Sequence, residues 1–323
     1  MVNTAKPRFV ARTVDPQHVT ALQQEGISPG MARILAGRGI ETADSLVYDL
    51  RKAIPVSKLT NAEKMAKHLA DKIQAGHKFL LVADYDSDGA TSCAIGIRAM
   101  RAFGANIEFM VPNRFVHGYG LTPEIIQEVI AKGEKPDCIL TVDNGVASVA
   151  GVAEANKNGI KVLVTDHHLA GDTMPDAECI VNPNQPGCDF PSKNLAGCGV
   201  IFYCMLALKK ELTDRKWFDT HPNFNLMELM DYVALGTVAD VVKLDDNNRR
   251  LVAVGLERMR KGLAHPVIKA IMEVAGCKIE EANSMHMGFN VGPRLNAAGR
   301  LDDRTNGISC LLADDDQEAT RLA

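Results

Sequence analysis

Residues 78–92 read KFLLVADYDSDGATS: Lys78 and an apolar run of five, aspartates at 84, 86 and 88, and Gly89 leading into small residues. A short apolar run closed by turn residues is the pattern of a buried strand, and residues 90–103 continue it as a helix. Further runs follow at NIEFMVP (106–112), DCILTV (137–142), KVLVT (161–165) and ECIVNP (178–183), with helix candidates at 90–103, 122–132 and 147–158 among them. Strands that alternate with helices predict an α/β fold, a parallel sheet flanked by helices on both faces.

Outside this region the texture is helical. Residues 1–76 alternate helical patterns with short breaks, and in NAEKMAKHLADKIQAG the apolar Met65, Leu69 and Ile73 recur at helical spacing. After LAGCGVIFYCMLALKKEL (195–212) strand signals fade, and NLMELMDYVALGTVADVV (225–242) and NNRRLVAVGLERMRKGL (247–263) are the clearest helices. The expected organisation is a helical N-terminal lead-in over 1–76, a catalytic domain over 77–245 and a helical connector over 246–323. The final DDDQEATRLA still reads as a helix and carries no capping glycine, so a truncation is expected there.

At 323 residues and 46% hydrophobic content the chain can bury a large core. The first residues lack the apolar region of a signal peptide, and no apolar run approaches the roughly 18 residues of a membrane span. A cytoplasmic protein without membrane contact is expected. The eight cysteines are scattered and form no C-x-x-C pair, which fits reduced, buried thiols better than disulfides. The net charge is -4, from 36 basic and 40 acidic residues, so any nucleic-acid partner must be held by local sites rather than by bulk charge.

In an open parallel sheet the ligand site lies beyond the carboxyl ends of the strands. There the first run delivers Asp84, Asp86 and Asp88, DCILTV delivers Asp143 and Asn144, and KVLVT delivers Asp166, His167 and His168. Alternate residues of an extended chain share a face, so the first three aspartates can converge before Gly89 permits the turn. Uncompensated, such a cluster would raise its own pKa values and lose its charge. Carboxylates mixed with one or two imidazoles suit Mn²⁺ or Mg²⁺, and this many candidate ligands suits two ions better than one. A calcium loop of the EF-hand type would place a glutamate six residues after the glycine, where this chain has Ile95. The pair His167-His168 alone reads as a turn or core feature; beside two acidic strand ends it reads as ligands.

The stretches DYDSDG (84–89), VDNG (142–145), TDHH (165–168) and LGTVAD (235–240) resemble, in order, the four motifs of the DHH phosphoesterase superfamily, a group of two-metal phosphodiesterases and pyrophosphatases. VPNRFVHGYGL (111–121) and GPRLNAAGRLDD (292–303) are similar to stretches of its single-strand-specific 5′ to 3′ exonucleases. The resemblance implies a metal set of Asp84, Asp86, Asp88, Asp143, His167 and Asp240, with Asp143 bridging two ions, Mn²⁺ or Mg²⁺. Asp240 read alone is a helix-end residue. His168 binds a metal or faces the scissile phosphate, and Asp166 orients an imidazole.

Arg114, in a loop flanked by Phe115 and the turn around Tyr119, is expected to grip phosphate while the aromatics offer a base a stacking surface. Arg294, Asn296 and Arg300 suit contacts to the phosphate backbone; the alternative pairs the arginines with Asp302 and Asp303. Gly197 and Gly199 either expose amides to an anion or simply start a helix. Ser87 stands where the family usually has Ala, a change expected to be silent. The implied reaction is attack of a metal-activated water on the phosphate, with Asp143, His168 and Arg114 as catalytic residues and 5′-mononucleotides as products. Two divalent ions would move the formal charge from -4 to 0 and concentrate positive charge where phosphate binds.

The implied substrate is single-stranded DNA, with a single-strand-binding protein and a helicase as partners of a monomeric enzyme. The resembling family normally continues into a second domain that closes over the cleft, and the connector is expected to lead there. The rivals are a phosphodiesterase or phosphatase for short oligonucleotides, cyclic dinucleotides or pyrophosphate, and a catalytically silent repair scaffold. The first shares the metal motifs but not the two exonuclease-like stretches, and the pyrophosphatase branch opens with a histidine where this chain has Asp84. The second typically lacks several ligands that are present here.

Overall fold

The computed structural model describes residues 10–112, 117–133, 135–298 and 305–323. The chain divides into two compact units, Met1–Asp49 and Leu50–Ala323. In the first, α1 (Pro16–Gln24) and α2 (Pro29–Ala36) each start on a proline, whose fixed φ suits the first helical turn, and Asp15 caps α1 by accepting from the amide of Gln17. Leu22, Ala32, Ala36 and Ile40 form its small core.

The second unit is built on a five-stranded parallel sheet in the order β2-β1-β3-β4-β5. The strands are β1 (Lys78–Ala83), β2 (Asn106–Met110), β3 (Cys138–Val142), β4 (Lys161–Thr165) and β5 (Cys179–Val181). Side chains alternate between its faces with period two. Phe79, Leu81, Leu140, Val142 and Leu163 join one core, which is covered by α3 (Ala62–Gln74), α4 (Ser87–Ala102), α7 (Gly197–Asp214) and α8 (Met230–Ala239). Val82, Ile139, Val162 and Val164 join the other, under α5 (Pro123–Ala131) and α6 (Val149–Lys157). This double cover is what the uniformly apolar strands predict.

Helix α3, which the periodicity of the sequence groups with the lead-in, buries Met65, Leu69 and Ile73 in the larger core. The compact boundary accordingly falls after Asp49 rather than after residue 76. Beyond α8 come α9 (Asp246–Arg260), α10 (Pro266–Val274), a π-helical turn (His286–Val291), α11 (Gly292–Ala298), α12 (Thr305–Leu311) and α13 (Asp316–Leu322). They share the larger core through residues such as Leu251, Ile268, Met287, Leu295 and Leu311, so these elements pack on α4 and α8. The eight cysteines are free thiols, all buried except the half-buried Cys277. Among the described residues no helix is long and apolar enough to cross a membrane.

Candidate metal centre

Four strands end in register: Ala83 lies beside Val142, Val142 beside Thr165, and Thr165 beside Val181. The residues that follow them, Asp84, Asp143, Asp166 and Asn182, therefore leave the sheet along one line. The strand order reverses direction between β1 and β3, where open α/β sheets leave a crevice. Asp143 turns out of its strand with a left-handed φ of 59°, a conformation that aspartate tolerates better than most residues but that still carries strain. The turn is tied down by Asn144, whose side-chain amide donates to the carbonyls of Val142 (2.8 Å) and Val82 (3.1 Å), thereby joining the ends of β3 and β1.

Two helix starts complete the cluster. Asp86 caps α4 by accepting from the amide of Gly89 at 2.9 Å, so the same carboxylate that could bind an ion also starts the helix. Asp88, in the first turn, accepts the amides of Gly197 (2.6 Å) and Cys198 (2.9 Å) at the start of α7. The anion those glycine-flanked amides serve is thus the chain's own Asp88, whose two oxygens keep further lone pairs for an ion. Gly197 is required by proximity: a Cβ there would lie 2.5 Å from Oδ1 of Asp143. Gly236 plays the same part in α8, where a Cβ would lie 2.8 Å from Oδ1 of Asp88. That close approach brings Asp240, at the C-terminal cap of α8, to the cluster.

At the centre, Nε2 of His167 lies 3.1 Å from Oδ1 of Asp143, 3.6 Å from Asp240 and 3.9 Å from Asp88. Nε2 of His167 and Oδ1 of Asp143 are both buried without a hydrogen-bond partner. Buried polar atoms are almost always satisfied, so a facing pair of orphans marks where a ligand belongs. Three overlapping groups place their donor atoms within 4.8 Å of one another: Asp84, Asp86 and Asp143; Asp88, His167 and Asp240; and Asp143, His167 and His168. Without a cation, burial pushes the carboxyls of Asp84 up to about 6 and Asp240 up to about 8, helped by neighbouring aspartates, and raises Asp86 and Asp143 as well. A donor set of carboxylates and imidazole, in which the ionisation of Asp84, Asp86, Asp143 and Asp240 is suppressed, fits hard divalent ions, which would replace the protons.

His168 faces a different way from its neighbour. Its Nδ1 is 2.8 Å from Oδ1 of Asp166, a hydrogen bond that lifts the imidazole to about 9 against the effect of burial. Asp166 also accepts from the amides of His167, His168 and Val146; burial opposes its charge, but the His168 imidazole, helped by the amides of Val146 and His168, holds its carboxyl below the usual range. Asp166 therefore orients His168 rather than His167. The hydroxyl of Tyr119 lies 3.4 Å from Nε2 of His168, and both border a cleft of about 560 Å³ whose lining includes Asp84, Asp86, Ser148 and Leu169. Two residues that sequence reasoning missed fix the histidine pair: the side-chain amides of Asn182 and Asn184 donate to the carbonyls of His168 and His167. The signal was the VNPN that closes β5, read only as the end of a strand.

The connector residues divide. Arg294 is exposed and donates to the carbonyl of Asn290 at 2.6 Å. The side-chain oxygen of Asn296 is turned toward the metal loop, accepting from the amide of Ser87 at 2.7 Å and lying 2.8 Å from its hydroxyl. That hydroxyl also lies 2.9 Å from the carbonyl of Gly292. The hydroxyl of Ser87 therefore adds to a contact that its backbone amide already makes. Arg114 and Arg300 lie outside the described residues.

Residues 78–237 match the family description "DHH family, N-terminal domain". The chain belongs to the DHH family. Over 300 residues, 92% of this chain, it is 49% identical to the single-stranded-DNA-specific exonuclease RecJ of Escherichia coli, of which it covers 52%. It is 35% identical to the RecJ of Bacillus subtilis over 99% of this chain and 39% of that protein. Among solved structures, RecJ of Thermus thermophilus in complex with Mn²⁺ matches with a TM-score of 0.78 at 29% identity, covering 96% of this chain and 43% of that one. The chain spans about half the length of the E. coli relative. The DHH domain accounts for the sheet and the acidic strand ends, and the likeness to RecJ extends beyond it through the connector.

Proposed function

We propose that this chain forms the catalytic core of a two-metal, single-stranded-DNA-specific 5′ to 3′ exonuclease that releases 5′-mononucleotides. The observation that carries the reading is the set of three overlapping donor groups sharing Asp143 and His167 at the end of the sheet. Mn²⁺ or Mg²⁺ bound there would supply Lewis acidity toward a phosphate and lower the pKa of a water. Asp84, Asp86, Asp88, Asp143, His167 and Asp240 hold the ions, Asp143 standing between the two sets. His168, fixed by Asp166 and charged at neutral pH in the metal-free site, faces the cleft where a scissile phosphate fits. Tyr119, 46% exposed at the cleft, offers a ring for a base. Arg114, Arg294 and Arg300 contact phosphates, and Asn296 serves the same strand through the loop it holds.

Polarity rests on the resemblance of the sequence motifs alone, and the likeness to single-stranded-DNA-specific exonucleases favours this reading over a phosphodiesterase for short oligonucleotides. The same reading makes the protein a cytoplasmic monomer supplied with substrate by a helicase and a single-strand-binding protein. The test is Mn²⁺-dependent digestion of a long single strand labelled at either end, with Asp143→Ala alongside. Early release of the 5′ label that the substitution abolishes is the expected result. Cleavage confined to dinucleotides would replace the reading with the short-substrate one.

A further inference from the structure

The segment 286–298 touches two of the metal motifs at once. Asn296 accepts from the amide of Ser87, the residue between the two candidate ligands Asp86 and Asp88. Gly292 is packed so closely on α8 that a Cβ would meet that of Ala239 at 3.1 Å, immediately before Asp240. The segment enters this position from a π-helical turn over His286–Val291, a rare geometry that concentrates at functional sites. The amide of Ser87 is among the first of α4 and has no partner within its own helix. Asn296 satisfies it from a position 209 residues away in the chain, acting as a cap in trans. The hydroxyl of Ser87 has one proton, which goes to Gly292 or is shared with Asn296, so it reinforces a link whose main strand is the backbone amide.

We infer that Asn296 is a positioning residue for the metal centre: by capping α4 it fixes the spacing of Asp86 and Asp88, so that metal affinity depends on the docking of the 286–298 segment. The inference rests on the two-metal reading. Polar groups that orient metal ligands typically account for roughly 10- to 100-fold in affinity. Titration of the full chain with Mn²⁺, followed calorimetrically, tests it. Asn296→Ala is expected to weaken Mn²⁺ binding within that range, and Asn296→Asp, which keeps an acceptor oxygen, to restore most of it. Ser87→Ala keeps the amide and is expected to change affinity by no more than about threefold, since only the auxiliary bond is lost. Thermal melts at saturating Mn²⁺ show whether each variant is folded. Parental Mn²⁺ affinity in a folded Asn296→Ala, or equal loss in Asn296→Ala and Asn296→Asp, overturns the inference. Absence of Mn²⁺ binding by the parent would instead remove the two-metal reading itself.

Discussion

At the scale of single residues, His167 and His168 show how one step along a chain changes chemistry. His167 points Nε2 at three carboxylates and has no hydrogen-bond partner there, whereas His168 is held by Asp166 and leans into the cleft. The imidazole of His168 is lifted to about 9, principally by its hydrogen bond to Asp166. Because its folded-state pKa lies above the unfolded value near 6.5, the pair stabilises the fold fully below that pH, and the contribution fades as pH rises through about 9. In Asp166→Asn the charge and the best acceptor are lost together. NMR titration of the metal-free protein is expected to show the His168 midpoint falling by at least one unit, and an unchanged midpoint would mean that Asp166 does not govern this imidazole. The candidate ligands at the strand ends were legible in the sequence because carboxylates and imidazoles there have few other reasons to be present, whereas Asp240 read alone is a helix-end residue. Asn182 and Asn184 were not, since an asparagine beside a proline reads equally well as a turn, and only the fold shows which carbonyls it reaches.

At the scale of elements, the centre is assembled by close approach as much as by ligands. Helix α7 starts against the end of β3 because Gly197 leaves no Cβ between its backbone and Asp143. The same start donates two amides to Asp88, so α4 and α7 are locked through one buried carboxylate. Gly197→Ala would drive a Cβ to 2.5 Å from Oδ1 of Asp143. Overpacking of this kind costs about 1–3 kcal/mol, and here the strain falls on a candidate metal-binding carboxylate already in a left-handed conformation. The expected outcome is a folded protein whose Mn²⁺ affinity drops roughly 10- to 100-fold; parental affinity in calorimetry would show that the helix start moves freely. Sequence alone left Gly197 open between anion binding and an ordinary helix start. The pairing with Asp88 could not be read there, because the two residues lie 109 positions apart and meet only in the packed fold. Alternating strands and helices, by contrast, are local patterns, and the sheet was legible from them. That helix α3 packs into the larger core was not legible for a related reason: periodicity gives an apolar face but not the surface that covers it.

At the scale of the whole molecule, stability and metal binding must compete for the same protons. Asp84, Asp86, Asp143 and Asp240 all have folded-state pKa values raised above the unfolded value near 3.9, Asp84 to about 6 and Asp240 to about 8, burial being the main cause. Between those limits the folded, metal-free chain binds more protons than the unfolded one, so these groups make stability fall as pH rises from about 4 to about 8. Fading of the Asp166–His168 contribution adds to the fall above about 6.5. Carboxyls with lowered values, such as Asp166 and Glu128, act in the opposite sense, but mainly below their unfolded values and thus at the acid edge of this window. A divalent ion binds the ionised forms, so its stabilising effect should grow over the interval in which the metal-free protein weakens. Melting curves with and without saturating Mg²⁺ are therefore expected to lie close together near pH 5 and to separate by pH 8, with the separation largely gone in Asp143→Ala. A metal-dependent shift in Tm that is the same at both pH values would mean that the acidic cluster is not where the ions bind.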